Sequence, residues 1–129
     1  MAYKETFADS LNMIPKALKW TERQDIKPLR DFFIEDAQKP LYCFASGGSY
    51  SSVDYAALLY EANQGMAKAL TPLSLSSVSD ETLKSSKILF TTSEGRGHDE
   101  KYVAKRATKA NPENTCAIVR NGGDDNDVV

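Results

Sequence analysis

Strand-like and helix-like segments alternate along this chain from Leu41 to Val119, and this alternation constrains the fold more than any other feature. Short apolar runs of strand length are separated by amphipathic or capped segments of helical character. We predict strands at 41–45, 71–75, 87–91 and 115–119, and helices at 52–68, from 79 onward, and at 99–110. Strands that alternate with helices form a parallel sheet covered on both faces. The sequence therefore predicts a three-layer α/β/α domain.

The strand order depends on Pro72, which lies in the weakest of the four predicted strands. Proline cannot donate a ladder hydrogen bond, so it fits only an edge strand or the first residue of a strand. With this strand at the edge, the order is 2-1-3-4, as in flavodoxin-like sheets. The first and third strands then adjoin, and the chain winds away from them in opposite directions. Such a switch point is where open α/β sheets bind ligands.

Two small, hydroxyl-rich loops follow the first and third strands, at this predicted switch point. The candidate ligand-binding residues are Ser46, Gly47, Gly48 and Ser49 in the first loop, and Thr92, Ser93, Glu94, Gly95 and Arg96 in the second. Free backbone N–H groups and hydroxyls before a helix suit an anion, most often a phosphate. An ordinary hydroxyl-capped turn is the alternative. Four small residues in the first loop exceed what capping requires.

Residues 1–38 are predicted to be a helical segment that precedes the α/β domain. Its apolar stripe consists of Phe7, Leu11, Ile14 and Leu18, and Pro15 predicts a kink or break near Met13. Thr21 to Gln24 has the spacing of a capping box for a second helix that ends at Lys39-Pro40. The predicted buried face of that helix is Ile26, Leu29, Phe33 and Ala37. The segment carries no loop chemistry, so we interpret it as scaffold or as the interface of a homodimer.

The α/β domain is expected to span residues 39–121, and residues 122–129 form a polar tail. The tail is too short for another helix, so the fourth strand would lack a covering helix on its return. Either the sequence is a piece of a longer protein and the sheet is incomplete, or a partner covers the sheet. We favour the first interpretation, because exposed sheet edges and faces are liabilities.

Composition excludes several function classes. A net charge of −2 and a pI near 5.4 provide no broad basic surface for nucleic acid. No apolar run is long enough to span a membrane, and the first residues lack the apolar core of a signal peptide, so we expect a cytoplasmic protein. Cys43 and Cys116 are expected to be buried as small hydrophobes, and with one histidine and no CxxC we expect no metal site and no cofactor.

The two loops resemble those of the sugar isomerase (SIS) domain family, which binds phosphosugars. The sequence Ser46 to Tyr50 is similar to the family's Cys-Gly-Thr-Ser-Tyr, and Thr92 to Gly97 stands where the family has Ser-Gln-Ser-Gly-Glu-Thr. The resemblance extends over residues 25–121, including the order of the predicted elements. It implies a phosphosugar or a similar small molecule as ligand, held by the hydroxyls and amides of both loops.

Departures from the family pattern fall in the second loop, where Glu94 and Gly97 replace two hydroxyl residues that hold the phosphate. A carboxylate close to a phosphate opposes its binding, unless it is protonated or turned outward. Arg96 could offset this charge by contacting the anion, or could pair with Glu94 or Asp99 instead. The bound group could then be a phosphosugar held differently, an uncharged or cationic sugar, or nothing.

Three functions remain open at this point. The first is a binding module for a phosphorylated sugar, and the second is the N-terminal part of an aldose–ketose phosphosugar isomerase or an amidotransferase-type sugar isomerase. The third is a degenerate SIS fold used for protein–protein contact. His98 and Glu94 are the acid–base candidates, but a lone histidine at a helix start is more often solvated or capping. We assign no catalytic residue and leave open whether the protein is an enzyme.

Overall fold

The computed structural model describes residues 6–63, 65–92 and 98–119. The chain divides into two compact units, Met1–Arg30 and Asp31–Val129. Helix α1 spans Phe7–Glu22, and helix α2 spans Lys27–Ile34. The N-terminus of α1 has a capping box, in which the Thr6 hydroxyl accepts from the Asp9 amide and the Asp9 carboxylate accepts from the Thr6 amide.

Two expectations for the N-terminal helices were wrong in detail. The helix α1 is not broken at Pro15 and runs as one 16-residue helix, while a kink at Pro15 stays a prediction. Thr21 lies in the last turn of α1, where its hydroxyl donates to the Ala17 carbonyl at 2.9 Å, so it caps no second helix. Instead the Lys27 amide, at the start of α2, donates to the Asp25 carboxylate at 3.0 Å.

The second unit contains a sheet of four parallel strands in the order β2-β1-β3-β4, as predicted. The strands are β1 (Leu41–Phe44), β2 (Ala67–Leu70), β3 (Lys87–Thr92) and β4 (Thr115–Val119). The helices are α3 (Tyr50–Ala62), α4 (Asp80–Lys84) and α5 (His98–Ala110), and short 3₁₀ turns span Gly47–Ser49, Pro72–Ser77 and Pro112–Asn114. In the register of the sheet, Leu89 of β3 lies between Cys43 of β1 and Cys116 of β4.

The second strand lies earlier than the prediction of 71–75. Helix α3 ends at Ala62, because the amides of Asn63 and Gly65 turn back to the Tyr60 carbonyl. The strand that follows is Ala67–Leu70, and Pro72 begins a 3₁₀ turn instead of lying within a strand. Proline is well suited to that position, because the first amide of a helical turn has no partner to lose. The edge position of the strand was predicted correctly.

Each face of the sheet has its own hydrophobic core. The α4–α5 side contains Phe44, Leu75, Leu83, Ile88, Phe90, Val103, Ala104 and Ala107. The α3 side contains Leu41, Cys43, Ala45, Val53, Ala57, Tyr60 and Leu89. Helix α3 buries Val53, Ala57 and Tyr60 in this core, whereas its Leu59 is exposed. Within the described ranges, none of the helices has the length and hydropathy that crossing a bilayer requires.

Two polar side chains anchor the segment before β1 to the α3 side of the sheet. Lys87, which is 1% exposed at the start of β3, donates through Nζ to the Phe32 carbonyl at 2.8 Å and the Phe33 carbonyl at 3.2 Å. These carbonyls belong to the last turn of α2, which has unpaired acceptors and favours a cation. The Tyr60 hydroxyl lies 2.7 Å from the Lys39 carbonyl and 3.0 Å from that of Ala37.

Candidate functional site

The carboxyl ends of β1 and β3 adjoin, and the two candidate loops leave from them. The first loop lies wholly within the described residues, so its geometry can be given in full. In the second loop, Ser93, Glu94, Gly95 and Arg96 lie outside the described residues. Their contacts with a ligand therefore remain predictions, and so does the effect of Gly97.

The first loop is one 3₁₀ turn, Gly47–Ser49, that runs directly into α3. Gly47 has a φ of +57°, the left-handed conformation that side chains with a Cβ rarely adopt. Ser46, Gly47 and Gly48 are exposed, and Ser49 is half-buried. The Tyr50 hydroxyl donates to the Ala69 carbonyl at 3.2 Å, which ties the start of α3 to the edge strand β2.

The serine hydroxyls of this loop are not used as helix caps. Ser46 occupies the cap position of the 3₁₀ turn and Ser49 that of α3, yet neither side chain makes a capping hydrogen bond to the described residues. A capped turn therefore does not explain these two hydroxyls. They remain able to donate to a bound molecule at the N-terminus of α3, whose first turn contains no acidic residue.

The end of β3 contacts the first loop through Thr91, which the sequence analysis did not select. Its hydroxyl donates to the Ser49 carbonyl at 3.4 Å. The neighbouring candidate, Thr92, is buried with 6% of its surface exposed. Successive side chains of a strand point to opposite faces, so only one of two adjacent threonines can meet a given loop. That alternation was the signal available in the sequence.

A shallow depression joins the two strand ends on the described part of the chain. It is lined by Phe44, Ala45, Ser46, Pro72, Phe90, Thr91 and Val103. Its volume is only about 10 Å³, about the room that one water molecule needs. The described residues thus form one apolar wall with two hydroxyls at its rim, Ser46 and Thr91. A complete small-molecule site needs several hundred Å³.

The titratable groups of the described residues include no metal site and no activated thiol. Within residues 6–63, 65–92 and 98–119, no group of three histidine, cysteine or acidic side chains could hold a metal ion. Both cysteines are free thiols, and burial raises the pKa of each, that of Cys43 to about 12. His98 begins α5 and is exposed, one residue before the predicted start of that helix.

The fold is similar to that of a solved structure. The fold superposes with a TM-score of 0.65 on a crystal structure of a candidate sugar-binding protein from Salmonella typhimurium LT2. The identity is 18%, and the match covers 87% of this chain but 36% of the other, so this chain spans about a third of that protein's length. No protein-family model matches the chain, and no curated protein matches it. At this identity the match supports the α/β fold alone.

Proposed function

We propose that this chain is an SIS-like domain that binds a phosphorylated sugar, or a related small molecule, at the carboxyl ends of β1 and β3. The observation that carries the proposal is the pair of serines at the start of α3. Ser46 and Ser49 present hydroxyls that no cap uses, on a loop whose first glycine has a positive φ. The sugar-binding description of the structural neighbour is consistent with this chemistry.

Helix α3 supplies the electrostatic part of the proposed site. It has 13 residues, and its first-turn amides lack helical acceptors, so its N-terminus is the positive end of the helix dipole. No acidic residue lies in that first turn to neutralise it. A phosphate placed there would accept from backbone amides and from the two serine hydroxyls. The sugar would extend toward the second loop, which must complete the pocket.

The experiment is a calorimetric titration of the full chain with hexose 6-phosphates and amino-sugar phosphates, with free sugars and inorganic phosphate in parallel. We expect one phosphosugar to bind with a stoichiometry of about one per chain. Ser49→Ala should weaken binding by about ten- to a hundredfold, since a hydrogen bond to a charged group contributes about 1.5–3 kcal/mol.

The matched control is Ser85→Ala. Ser85 is an exposed serine at the end of α4, just before the start of β3, so it lies at the amino ends of the strands, away from the proposed site at their carboxyl ends. This variant should bind as the unmodified chain does. The proposal fails if no phosphosugar in the panel binds, or if Ser85→Ala weakens binding as much as Ser49→Ala.

A further inference from the structure

A second cleft, distinct from the candidate loops, opens on the α4–α5 side of the sheet beside the edge strand β2. It has a volume of about 460 Å³, which lies within the range of small-molecule sites. Its lining residues are Tyr42, Lys68, Leu70, Ser74, Ser77, Val78, Ser79 and Thr82. None of these lines the depression at the loops. We refer to it as the hydroxyl cleft, because five of its side chains carry a hydroxyl group.

Two of the five hydroxyls are occupied by the cap of α4. The Ser79 hydroxyl accepts from the Thr82 amide at 3.1 Å and lies 2.8 Å from the Thr82 hydroxyl. Ser74 makes only a long contact of 3.4 Å with Thr71. These bonds fix one wall of the cleft, formed by the 3₁₀ turn and the start of α4.

The remaining polar groups of the cleft are donors without acceptors among the described residues. Tyr42 is half-buried, and neither its hydroxyl nor that of Ser77 makes a hydrogen bond within the described chain. Lys68 is exposed and forms no ion pair there. An ammonium group and two hydroxyls therefore face one cavity, and no carboxylate belongs to the part of the lining that the structure describes.

The acids nearest in sequence do not cancel this charge within the lining. Asp80 follows Ser79, but its carboxylate pairs with Arg106 at 2.8 Å, and it lines a different cleft. Glu81 is exposed on α4 and is not part of the lining. The hydroxyl cleft thus combines one cation with hydroxyl donors, which is the chemistry that recognises an oxyanion.

We propose that the hydroxyl cleft binds a small molecule that carries a phosphate or another tetrahedral oxyanion. Lys68 contributes the charge, and Ser77 and Tyr42 donate hydrogen bonds to the anion. Leu70, Val78 and the Tyr42 ring form an apolar wall for the uncharged part of the ligand. A neutral polyol is disfavoured, because it would gain nothing from an unpaired ammonium group.

The test is an NMR titration of the ¹⁵N-labelled full chain with inorganic phosphate, and with sulfate and glucose in separate arms. We expect saturable shifts of the Lys68, Ser77 and Thr82 amides with phosphate and none with glucose. Lys68→Met should raise the phosphate Kd about tenfold or more, because among the described residues that line the cleft Lys68 alone carries a positive charge. Ser77→Ala should weaken phosphate binding to a smaller extent.

Two control variants distinguish phosphate binding in the hydroxyl cleft from general charge effects and from binding at the candidate loops. Lys105→Met removes an exposed cation of α5 that lines neither the hydroxyl cleft nor the cleft beside Asp80, and it should leave the phosphate Kd unchanged. Ser49→Ala should also leave these shifts intact. The inference is overturned if phosphate causes no saturable shift at these amides, if only Ser46 to Ser49 shift, or if Lys105→Met weakens binding as much as Lys68→Met.

Discussion

The ring of Tyr60 lies against Gly65 so closely that a Cβ at Gly65 would be 2.3 Å from two ring carbons. The hydroxyl of the same tyrosine lies within hydrogen-bond distance of the carbonyls of Lys39, at 2.7 Å, and Ala37, at 3.0 Å. Its ring also lies beneath the Lys87 ammonium, 5.4 Å from the ring centroid. One side chain thus joins the end of α3, the segment before β1 and the start of β3. Displacing that ring would disturb all three contacts.

Gly65→Ala is therefore expected to destabilise the domain by about 1–3 kcal/mol, the usual range for overpacking a well-fitted site. Urea denaturation followed by circular dichroism measures the change. The control is Gly48→Ala, since a Cβ at Gly48 would meet nothing within 4 Å. If both alanine variants unfold at the same urea concentration, the Tyr60 ring can move aside without cost and the prediction is wrong.

Gly47→Ala is expected to cost about 1–2 kcal/mol for a different reason, the strain of a left-handed residue with a Cβ. The φ of Gly47 is +57°, and the space around it is open, so backbone strain alone sets the cost. Gly47→Asn should recover part of the loss, because asparagine tolerates this conformation better. Thermal unfolding of Gly47→Ala, Gly47→Asn and Gly48→Ala tests this order. Equal melting temperatures for Gly47→Ala and Gly48→Ala would contradict it.

Lys87 is expected to make stability increase with pH in the alkaline range. Burial lowers the pKa of its ammonium group in the folded chain below the ordinary value of 10.5. The unfolded chain then binds this proton more tightly, so the free energy of unfolding rises as the pH climbs from the lowered pKa to 10.5. Lys87→Met has no group that titrates at this position. As the pH rises through this range, the free energy of unfolding of the unmodified chain should therefore increase relative to that of Lys87→Met. Parallel stability–pH curves would refute the prediction.

Cys43 is expected to make stability decrease with pH in the alkaline range, and its thiol is expected to react slowly with thiol reagents. Burial raises the pKa of its thiol from 9.0 to about 12, so the folded state holds this proton more tightly than the unfolded state. The resulting stability is fully present below pH 9.0 and is lost as the pH rises toward about 12. Cys43→Ala should remove that loss.

Maleimide labelling followed by mass spectrometry should modify half-buried Cys116 before Cys43. Rapid labelling of Cys43 in the native chain would contradict the prediction.

Arg106 is expected to stabilise the fold through carbonyl contacts more than through its ion pair. It donates to the Leu75 carbonyl at 2.5 Å, the Val78 carbonyl at 2.6 Å and the Asp80 carboxylate at 2.8 Å. Arg106→Met should cost about 2–3 kcal/mol, because it leaves these acceptors without a charged donor. Asp80→Asn should change stability little, since its carboxylate is largely exposed.

Chemical denaturation of both variants compares these effects, with Lys109→Met as the control from the next turn of α5. Lys109 is exposed, and its loss should be close to neutral. The interpretation reverses if Asp80→Asn costs as much stability as Arg106→Met. That result would assign the energy to the ion pair and not to the carbonyl contacts.

The sequence predicted correctly those elements whose boundaries are set by residues close to them in sequence. The Ser79 hydroxyl caps α4 as expected, accepting from the Thr82 amide, and β4 spans Thr115–Val119 as predicted. The first candidate loop begins at Ser46, shortly after the apolar run of β1 ends, as predicted. The second strand was misplaced, because the end of α3 is decided by backbone bonds to Tyr60 and not by the apolar residues that follow.

The sequence by itself determined the parallel α/β architecture and the place of the first loop, because apolar periods and small residues act over a few positions. The strand order was also predicted correctly, although Pro72, on which that prediction rested, lies in a 3₁₀ turn after the edge strand and not within it. Only the tertiary structure decided that Lys87 belongs to the core and that the Thr91 hydroxyl contacts the Ser49 carbonyl. It alone brought Tyr42, Lys68 and Ser77 to one cleft. These features depend on contacts between residues far apart in the chain, and no local pattern encodes their partners.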